Sequence, residues 1–160
     1  MEIDVLVEHD LEDKIEPGWF RAVAERTLSI QYAQANSEVG LVITGDEKVK
    51  ELNKTYRGKD ETTDVLAFYM TPGASWLKSA EKDAFATPPD DILRLGEVII
   101  SYPKAVKQAQ EHSHSVKKEL VTLIIHGILH LIGYDHQEKN EEKEMKAREE
   151  EIIKTMGDLF

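Results

Sequence analysis

The fold is decided by the segment LVTLIIHGILHLIGYDH, residues 120–136, which joins a long apolar run to three histidines. The apolar part predicts a helix in which His126 and His130, four residues apart, share one face. Gly133 follows and is the residue best able to adopt the left-handed conformation that ends a helix. The chain can then turn back and bring His136 beside the other two imidazoles. Because the helix is apolar nearly all round, we expect it to be buried at the centre of the fold.

The three histidines predict a metal site. Three neutral imidazoles with an open fourth position are typical of catalytic zinc, whereas structural zinc sites usually close all four positions, often with cysteine. The sequence has no cysteine. The alternative is that His126 and His130 are core histidines bonded to backbone carbonyls. Ionisable groups are rarely buried without a partner, so the pattern favours one metal ion held by His126, His130 and His136.

The composition is that of a soluble globular protein, with 41% hydrophobic and 32% charged residues. At this length we expect one domain over residues 1–160. The apolar runs are too short to span a membrane, the N-terminal residues lack a signal-peptide pattern, and cysteine is absent, so we expect a cytoplasmic protein without a membrane partner. The formal net charge of −11 opposes non-specific attraction to nucleic acid, so any RNA contact must be local.

Hydrophobic periodicity predicts four strands and five helices. The strands are expected at Ile3–Val7, Val39–Thr44, Val65–Met70 and Leu95–Ile100. The third is expected to be a central strand because it is apolar almost throughout. The helices are expected to begin near Pro17, Asp46, Ser101, Ser115 and Glu138, and Asp46, Ser101 and Ser115 are the predicted N-caps. Residues 71–94 show no sustained period, so this loop is interpreted as either a lid over the site or a variable insertion.

The residue after the first histidine limits the chemistry. In the HExxH arrangement of zinc peptidases it is a glutamate that acts as general base, whereas here it is Gly127. A bound metal can still activate water and polarise a phosphoryl oxygen, which is compatible with phosphodiester hydrolysis. Arg57 is the candidate phosphate-binding residue because its planar guanidinium can hold two phosphate oxygens. The alternative is that Arg57 is an exposed side chain at a basic helix end.

Other polar residues have two interpretations each. Asp135 either orients a ligand imidazole or caps the turn after Gly133. Asp64 is expected to cap the turn before the third strand or to tie it to that strand. The pair His112 and His114 is interpreted as polar surface residues rather than as a second metal site.

These residues also resemble a known family. From about Leu41 to Met156 the sequence is similar to the YbeY family of bacterial single-strand-specific endoribonucleases, also called rRNA maturation factors. The most specific match is HGxLHLxGYDH at residues 126–136. Shorter matches are LNxxYR at residues 52–57, TDVL at 63–66, and HS at 114–115.

The resemblance implies an α+β fold with a small mixed sheet and one zinc ion per chain, held by His126, His130 and His136. It also implies cleavage of single-stranded RNA in 16S rRNA 3′-end maturation and ribosome quality control, with Arg57 as the functional arginine. The expected partners are therefore rRNA and the ribosomal subunit or its proteins. The sequence departs from the family pattern at Ala67, where serine is usual.

Two alternative functions remain open. One is a metallopeptidase-like hydrolase that uses Asp135 or Glu97 as its base. The other is a non-enzymatic, zinc-stabilised ribosome assembly factor, which the acidic net charge favours over direct binding of bare RNA. The native metal can be zinc or nickel, since geometry and availability decide metal identity more than affinity does.

Overall fold

The computed structural model describes residues 2–8, 11, 14–31, 37–69, 93–133 and 139–160. The strands in these ranges are β1 (Glu2–Val7), β2 (Ser37–Thr44), β3 (Val65–Tyr69) and β4 (Leu93–Ser101). The helices are α1 (Pro17–Gln31), α2 (Asp46–Arg57), α3 (Tyr102–Glu111), α4 (Val116–Leu131) and α5 (Lys139–Lys154). A short 3-10 turn, Gly157–Leu159, follows α5. The expected α+β fold is confirmed, and the described residues contain the four strands and five helices that the sequence predicts.

The strands form one mixed sheet in the order β1-β2-β4-β3. β2 is parallel to β1 and to β4, with Leu41 opposite Val98, and β3 is antiparallel to β4, with Ala67 opposite Val98. Among the described strands β3 is therefore an edge strand, and the prediction that it is central is wrong. Its residues are apolar because helices cover both faces of the sheet at this edge. Leu66 packs with Val49 of α2, while Ala67 packs against the core that contains α4.

α4 is the central helix of the larger core, as the sequence predicts. Ten of its sixteen residues are buried. Each fully buried Leu or Ile contributes about 1.5–3 kcal/mol, so apolar packing holds the whole helix in place. Ser115 caps its start by accepting a hydrogen bond from the Lys118 amide at 3.1 Å, and Gly133 follows its end with a φ of 113°. The histidines on α4 are thus carried by a rigid, well-defined element.

α4 approaches the sheet very closely at Gly127. A Cβ atom at this position would lie 2.5 Å from Cγ1 of Val98 in β4, far inside van der Waals contact. Val98 is fully buried and has a short side chain, so it has no room to move aside. Glycine therefore allows the helix to pack on the sheet, and any side chain at position 127 would point at β4.

The start of α2 is linked to the start of α3. Ser101 caps α3 as predicted, accepting a hydrogen bond from the Lys104 amide at 3.3 Å. Asp46 does not cap α2, because the cap residue is Gly45 and Oδ1 of Asp46 instead accepts a hydrogen bond from the Ser101 hydroxyl at 2.6 Å. This bond fixes α2, whose last residue is Arg57, against the carboxyl end of β4.

Several predictions fall outside the described residues. They concern Asp135, His136 and most of the expected loop at 71–94, since β4 already begins at Leu93. Within the described residues, no helix combines the length and the apolar character needed to cross a membrane.

Candidate functional site

His126 and His130 lie side by side on the exposed edge of α4. Their Nε2 atoms are 3.2 Å apart, and their rings meet edge to face with centroids 4.7 Å apart. A tetrahedral zinc ion with Zn–N bonds of about 2.0–2.1 Å separates its ligand nitrogens by roughly 3.3 Å. The two nitrogens therefore have the spacing of two ligands of one ion. The third predicted ligand, His136, is outside the described residues.

A carboxylate from α5 supports the first of these rings. The Nδ1–H group of His126 donates a hydrogen bond to Oε1 of Glu149 at 2.5 Å. An ionised carboxylate can only accept, so this bond places the proton on Nδ1 and leaves the lone pair on Nε2, next to His130. Metal-binding histidines usually donate their second N–H group to a carboxylate or carbonyl in this way. The donor set thus fits a metal ion bound at the Nε2 atoms.

The sequence does not predict Glu149 as a site residue. The carboxylate that it indicates for orienting an imidazole is Asp135, which has the alternative role of capping the turn after Gly133. Glu149 is one of three consecutive glutamates, 149–151, on a strongly charged helix. The helical period gives a partial indication that Glu149 faces the core. Glu149 lies four residues after Met145 and three before Ile152, and both of these residues are buried. The same period that packs α5 on the core therefore turns Glu149 toward α4.

A cavity of about 250 Å³ opens beside the two histidines. Its lining includes His126, His130, Arg57, Asp64 and Ala67. Arg57 is the last residue of α2 and is exposed to solvent. The fold thus brings the predicted phosphate-binding arginine to the same cavity as two of the predicted metal ligands.

Asp64 is held by hydrogen bonds at the border of this cavity. Its Oδ1 accepts from the Val65 amide at 2.8 Å, and its Oδ2 accepts from the Gln108 side chain at 3.2 Å. Its backbone carbonyl accepts from the Ser101 amide at 2.9 Å. Asp64 therefore ties the turn to β3, one of the two roles expected from the sequence, and also ties β3 to α3.

Glu97 lies on the other side of the sheet from the histidines. Side chains alternate along a strand, and the neighbouring Val98 faces α4 at Gly127. The Cγ atom of Glu97 instead lies 3.0 Å from the Cβ position of Gly40 on β2. Glu97 is therefore not positioned to act as a base at His126.

A second group of potential metal ligands lies where α3 meets α4. His112, His114 and Glu119 each offer one ligand atom, all within 4.8 Å of one another, and so can hold a metal ion. Oε2 of Glu119 accepts a hydrogen bond from Nδ1 of His112 at 3.1 Å and another from Nε2 of His114. The Glu119 side chain is only 4% exposed. The two histidines are thus partners of a buried carboxylate, a role that the sequence does not predict.

The chain matches the family described as Endoribonuclease YbeY over residues 7–157. A relative of that description in Dehalococcoides mccartyi is 46% identical and covers 100% of this chain and 92% of the relative. Another, in Roseiflexus sp., is 37% identical and covers 97% of this chain and 92% of the relative. The solution structure of TM1509 from Thermotoga maritima is similar with a TM-score of 0.63 at 26% identity, over 98% of this chain and 90% of that one. The chain therefore belongs to the YbeY endoribonuclease family.

Proposed function

We propose that this protein is a zinc-dependent endoribonuclease that cleaves single-stranded RNA. We also propose that it acts in 16S rRNA 3′-end maturation and ribosome quality control in the cytoplasm, with rRNA and the ribosomal subunit as partners. Membership of the YbeY endoribonuclease family supports RNA cleavage. The observation that carries the metal-dependent mechanism is the 3.2 Å approach of the His126 and His130 Nε2 atoms beside Glu149.

Each residue of the proposed site has its own task. His126 and His130 would hold the ion through Nε2, and His136 would be the third ligand. Glu149 keeps the His126 ring in one tautomer and one orientation. When bound, zinc supplies Lewis-acid activation of a water molecule and of a phosphoryl oxygen. Arg57 binds the phosphate through two N–H groups and neutralises its charge.

An exposed aromatic ring next to Arg57 supports a single-stranded substrate. Tyr56 is 68% exposed, and its ring packs edge to face on Phe68, with centroids 5.4 Å apart. Unpaired bases stack on such rings, whereas paired bases are already stacked in the duplex. Phe68 faces α2 rather than the histidines, so Tyr56 would stack on a base further along the strand than the phosphate held by Arg57.

The packing of Gly127 disfavours the peptidase alternative. A peptidase of the HExxH type needs a glutamate at this position that reaches the metal-activated water. Here a side chain at position 127 would collide with Val98 and would point at the sheet. A peptidase mechanism would thus need a base from elsewhere, and Glu97 is on the wrong face.

The test is cleavage of a 5′-labelled single-stranded RNA that carries the sequence of an rRNA 3′ end, with a duplex of the same sequence for comparison. We expect zinc-dependent cleavage of the single strand, a loss of more than about 100-fold in His130→Ala, and a loss of roughly 100-fold in Arg57→Ala. Arg57→Lys should keep part of the activity as a point charge. Tyr56→Ala should weaken binding of the single strand, while Tyr56→Phe should not.

The matched control is Arg21→Ala, which removes an exposed arginine from α1. It should cleave at the wild-type rate. Equal cleavage by wild type, His130→Ala and Arg57→Ala would indicate a contaminating nuclease and refute the proposal. Zinc-dependent turnover of an unstructured protein without any RNA cleavage would favour the peptidase alternative.

A further inference from the structure

We propose that His112, His114 and Glu119 form a second binding site for a divalent transition metal, separate from the His126 site. Two imidazole nitrogens and one carboxylate oxygen are ligands that zinc and nickel accept, and a His₂Glu set occurs in zinc enzymes. The ligand atoms of the three residues lie within 4.8 Å of one another. Oε2 of Glu119 lies 3.1 Å from Nδ1 of His112 and closer still to Nε2 of His114, so both contacts are already within the ligand spacing of roughly 3.3 Å around tetrahedral zinc.

The burial of Glu119 favours a cation at this position. Its side chain is 4% exposed, whereas His114 is 22% and His112 is 56% exposed. An ionised carboxylate removed from water costs stability unless an opposite charge pairs with it. His112 and His114 both contact Oε2 by hydrogen bonds, which offset part of this cost. A bound divalent ion would place two positive charges beside the carboxylate, and the exposed His112 provides its route of entry.

The backbone of the turn already holds both rings near Glu119. α3 ends at Glu111 with His112 as its C-cap, and the following Ser113 has a φ of 55°, a left-handed conformation that non-glycine residues rarely adopt. The turn is closed by the His114 amide, which donates to the Ala109 carbonyl at 3.0 Å. Residues with a strained backbone are often found at ligand sites, because the surrounding interactions stabilise the strained conformation. Here it places His112 and His114 on the same side of the chain.

The position of the cluster distinguishes it from a co-catalytic metal site. Glu119 and His126 are seven residues apart on one face of α4, or about 10 Å along the helix axis. Two metals that share a substrate oxygen lie only about 3.5–4 Å apart. The second ion would therefore bridge α3 and α4 on the wall of a cavity of about 310 Å³, which His112 and Glu119 line at one end and His126 at the other. Metal binding there does not depend on RNA cleavage at the His126 site.

The test counts zinc ions bound to the full chain after chelator treatment and titration with Zn²⁺. We expect two per chain in wild type and one each in the double variants His112→Gln/His114→Gln and His126→Gln/His130→Gln. Glutamine keeps an N–H donor for Glu119 but removes the ligand nitrogen, so the hydrogen bonds of the turn survive. The control Glu150→Gln, at an exposed position of α5, should still bind two ions.

Thermal unfolding provides the second readout. In the His126→Gln/His130→Gln variant, zinc at a hundredfold excess over its dissociation constant should raise Tm by about 5–10 °C. Adding His112→Gln and His114→Gln should abolish that rise. An unchanged zinc count in His112→Gln/His114→Gln, or no Tm rise in His126→Gln/His130→Gln, would show that the cluster is only a hydrogen-bonded turn. If the double variant at the turn does not fold, His112→Gln alone, at an exposed position, provides the same comparison.

Discussion

The two ends of α4 carry histidine groups built in opposite ways. Near the C-terminal end, the Nε2 atoms of His126 and His130 face each other, and Glu149 contacts the Nδ1 atom of His126. At the N-terminal end the carboxylate of Glu119 stands between His112 and His114 and contacts both. The first arrangement places two imidazoles on the lining of a cavity, whereas the second places two imidazoles around a buried carboxylate.

This difference shows how a carboxylate defines the role of a histidine. In the proposed site, Glu149 contacts Nδ1 of His126 and would hold the ring in the tautomer whose Nε2 atom can bind a metal ion. Between two imidazoles, Glu119 is itself a potential ligand and has to exchange hydrogen bonds for a metal bond. We therefore expect the first site to bind zinc more tightly than the second, because it requires less rearrangement.

Replacement of Glu149 should have the largest effect on this comparison. In Glu149→Gln the amide can present its own N–H group to His126, and the fixed tautomer is lost. We expect a 10- to 100-fold loss in zinc affinity at the His126 site and in RNA cleavage. Zinc binding at the His112 cluster, measured in parallel, should not change. Glu150→Gln, at the exposed neighbouring position, is the control, and an equal loss in both variants would argue against this role of Glu149.

The second prediction concerns how α4 is anchored to the sheet near the first site. Gly127→Ala adds a Cβ that would lie 2.5 Å from Val98 Cγ1, so helix and sheet must separate. We expect a loss of about 1–3 kcal/mol in the free energy of unfolding, measured by urea denaturation. Gly157→Ala is the matched control, because no atom lies within 4 Å of its Cβ position. Equal stability of Gly127→Ala and wild type would mean that α4 does not pack on β4 this closely.

The third prediction concerns the turn that holds the second group. A left-handed non-glycine residue costs about 1–2 kcal/mol, and a new glycine costs roughly 0.5–1 kcal/mol through the entropy of the unfolded chain. Ser113→Gly should therefore stabilise the apoprotein by about 0.5–1 kcal/mol in urea denaturation. If the strain of Ser113 serves the cluster, the same variant should bind its second zinc ion more weakly. Lower stability of Ser113→Gly would show that its hydroxyl matters more than its backbone.

The smallest expected effect is on the pH dependence of stability, and it concerns the contact between Arg26 and Asp158, which follows α5. Arg26 donates hydrogen bonds to Oδ1 and Oδ2 of Asp158 at 2.6 and 3.2 Å, and this contact lowers the pKa of the Asp158 carboxyl. A carboxyl whose pKa is lowered by folding adds stability above its unfolded-state pKa and loses it as pH falls through the folded-state pKa. Both groups are exposed to solvent, so the effect is small.

We therefore expect Asp158→Asn to be slightly less stable than wild type near neutral pH and equally stable in acid. The measurement is the difference in urea midpoint between the two proteins across that pH range. A difference that stays constant with pH would assign the effect to packing rather than to charge. Glu150→Gln provides a charge-matched control on an exposed face of α5.

Local signals in the sequence were sufficient for most elements of the fold. Ser101 and Ser115 cap the helices that they were predicted to cap, because a side-chain oxygen next to free amide groups acts over only three residues. Asp46 failed as a cap because its carboxylate has a stronger partner in Ser101, which lies 55 residues further along the chain. The prediction that β3 is a central strand is wrong for a similar reason. An apolar run indicates that both faces of a strand are covered, but it does not indicate which strands pair.

The sequence by itself determined the central helix, the shared face of His126 and His130, and the glycine that ends the helix, because all three depend on the period and chirality of a single helix. Only the tertiary structure decided which carboxylates meet which histidines. Glu149 reaches His126 across 23 residues through the packing of α5, and Glu119 meets His112 and His114 only because α3 and α4 meet at a strained turn. Hydrogen-bond partners of this kind depend on how separate elements pack, and a local sequence pattern does not specify that packing.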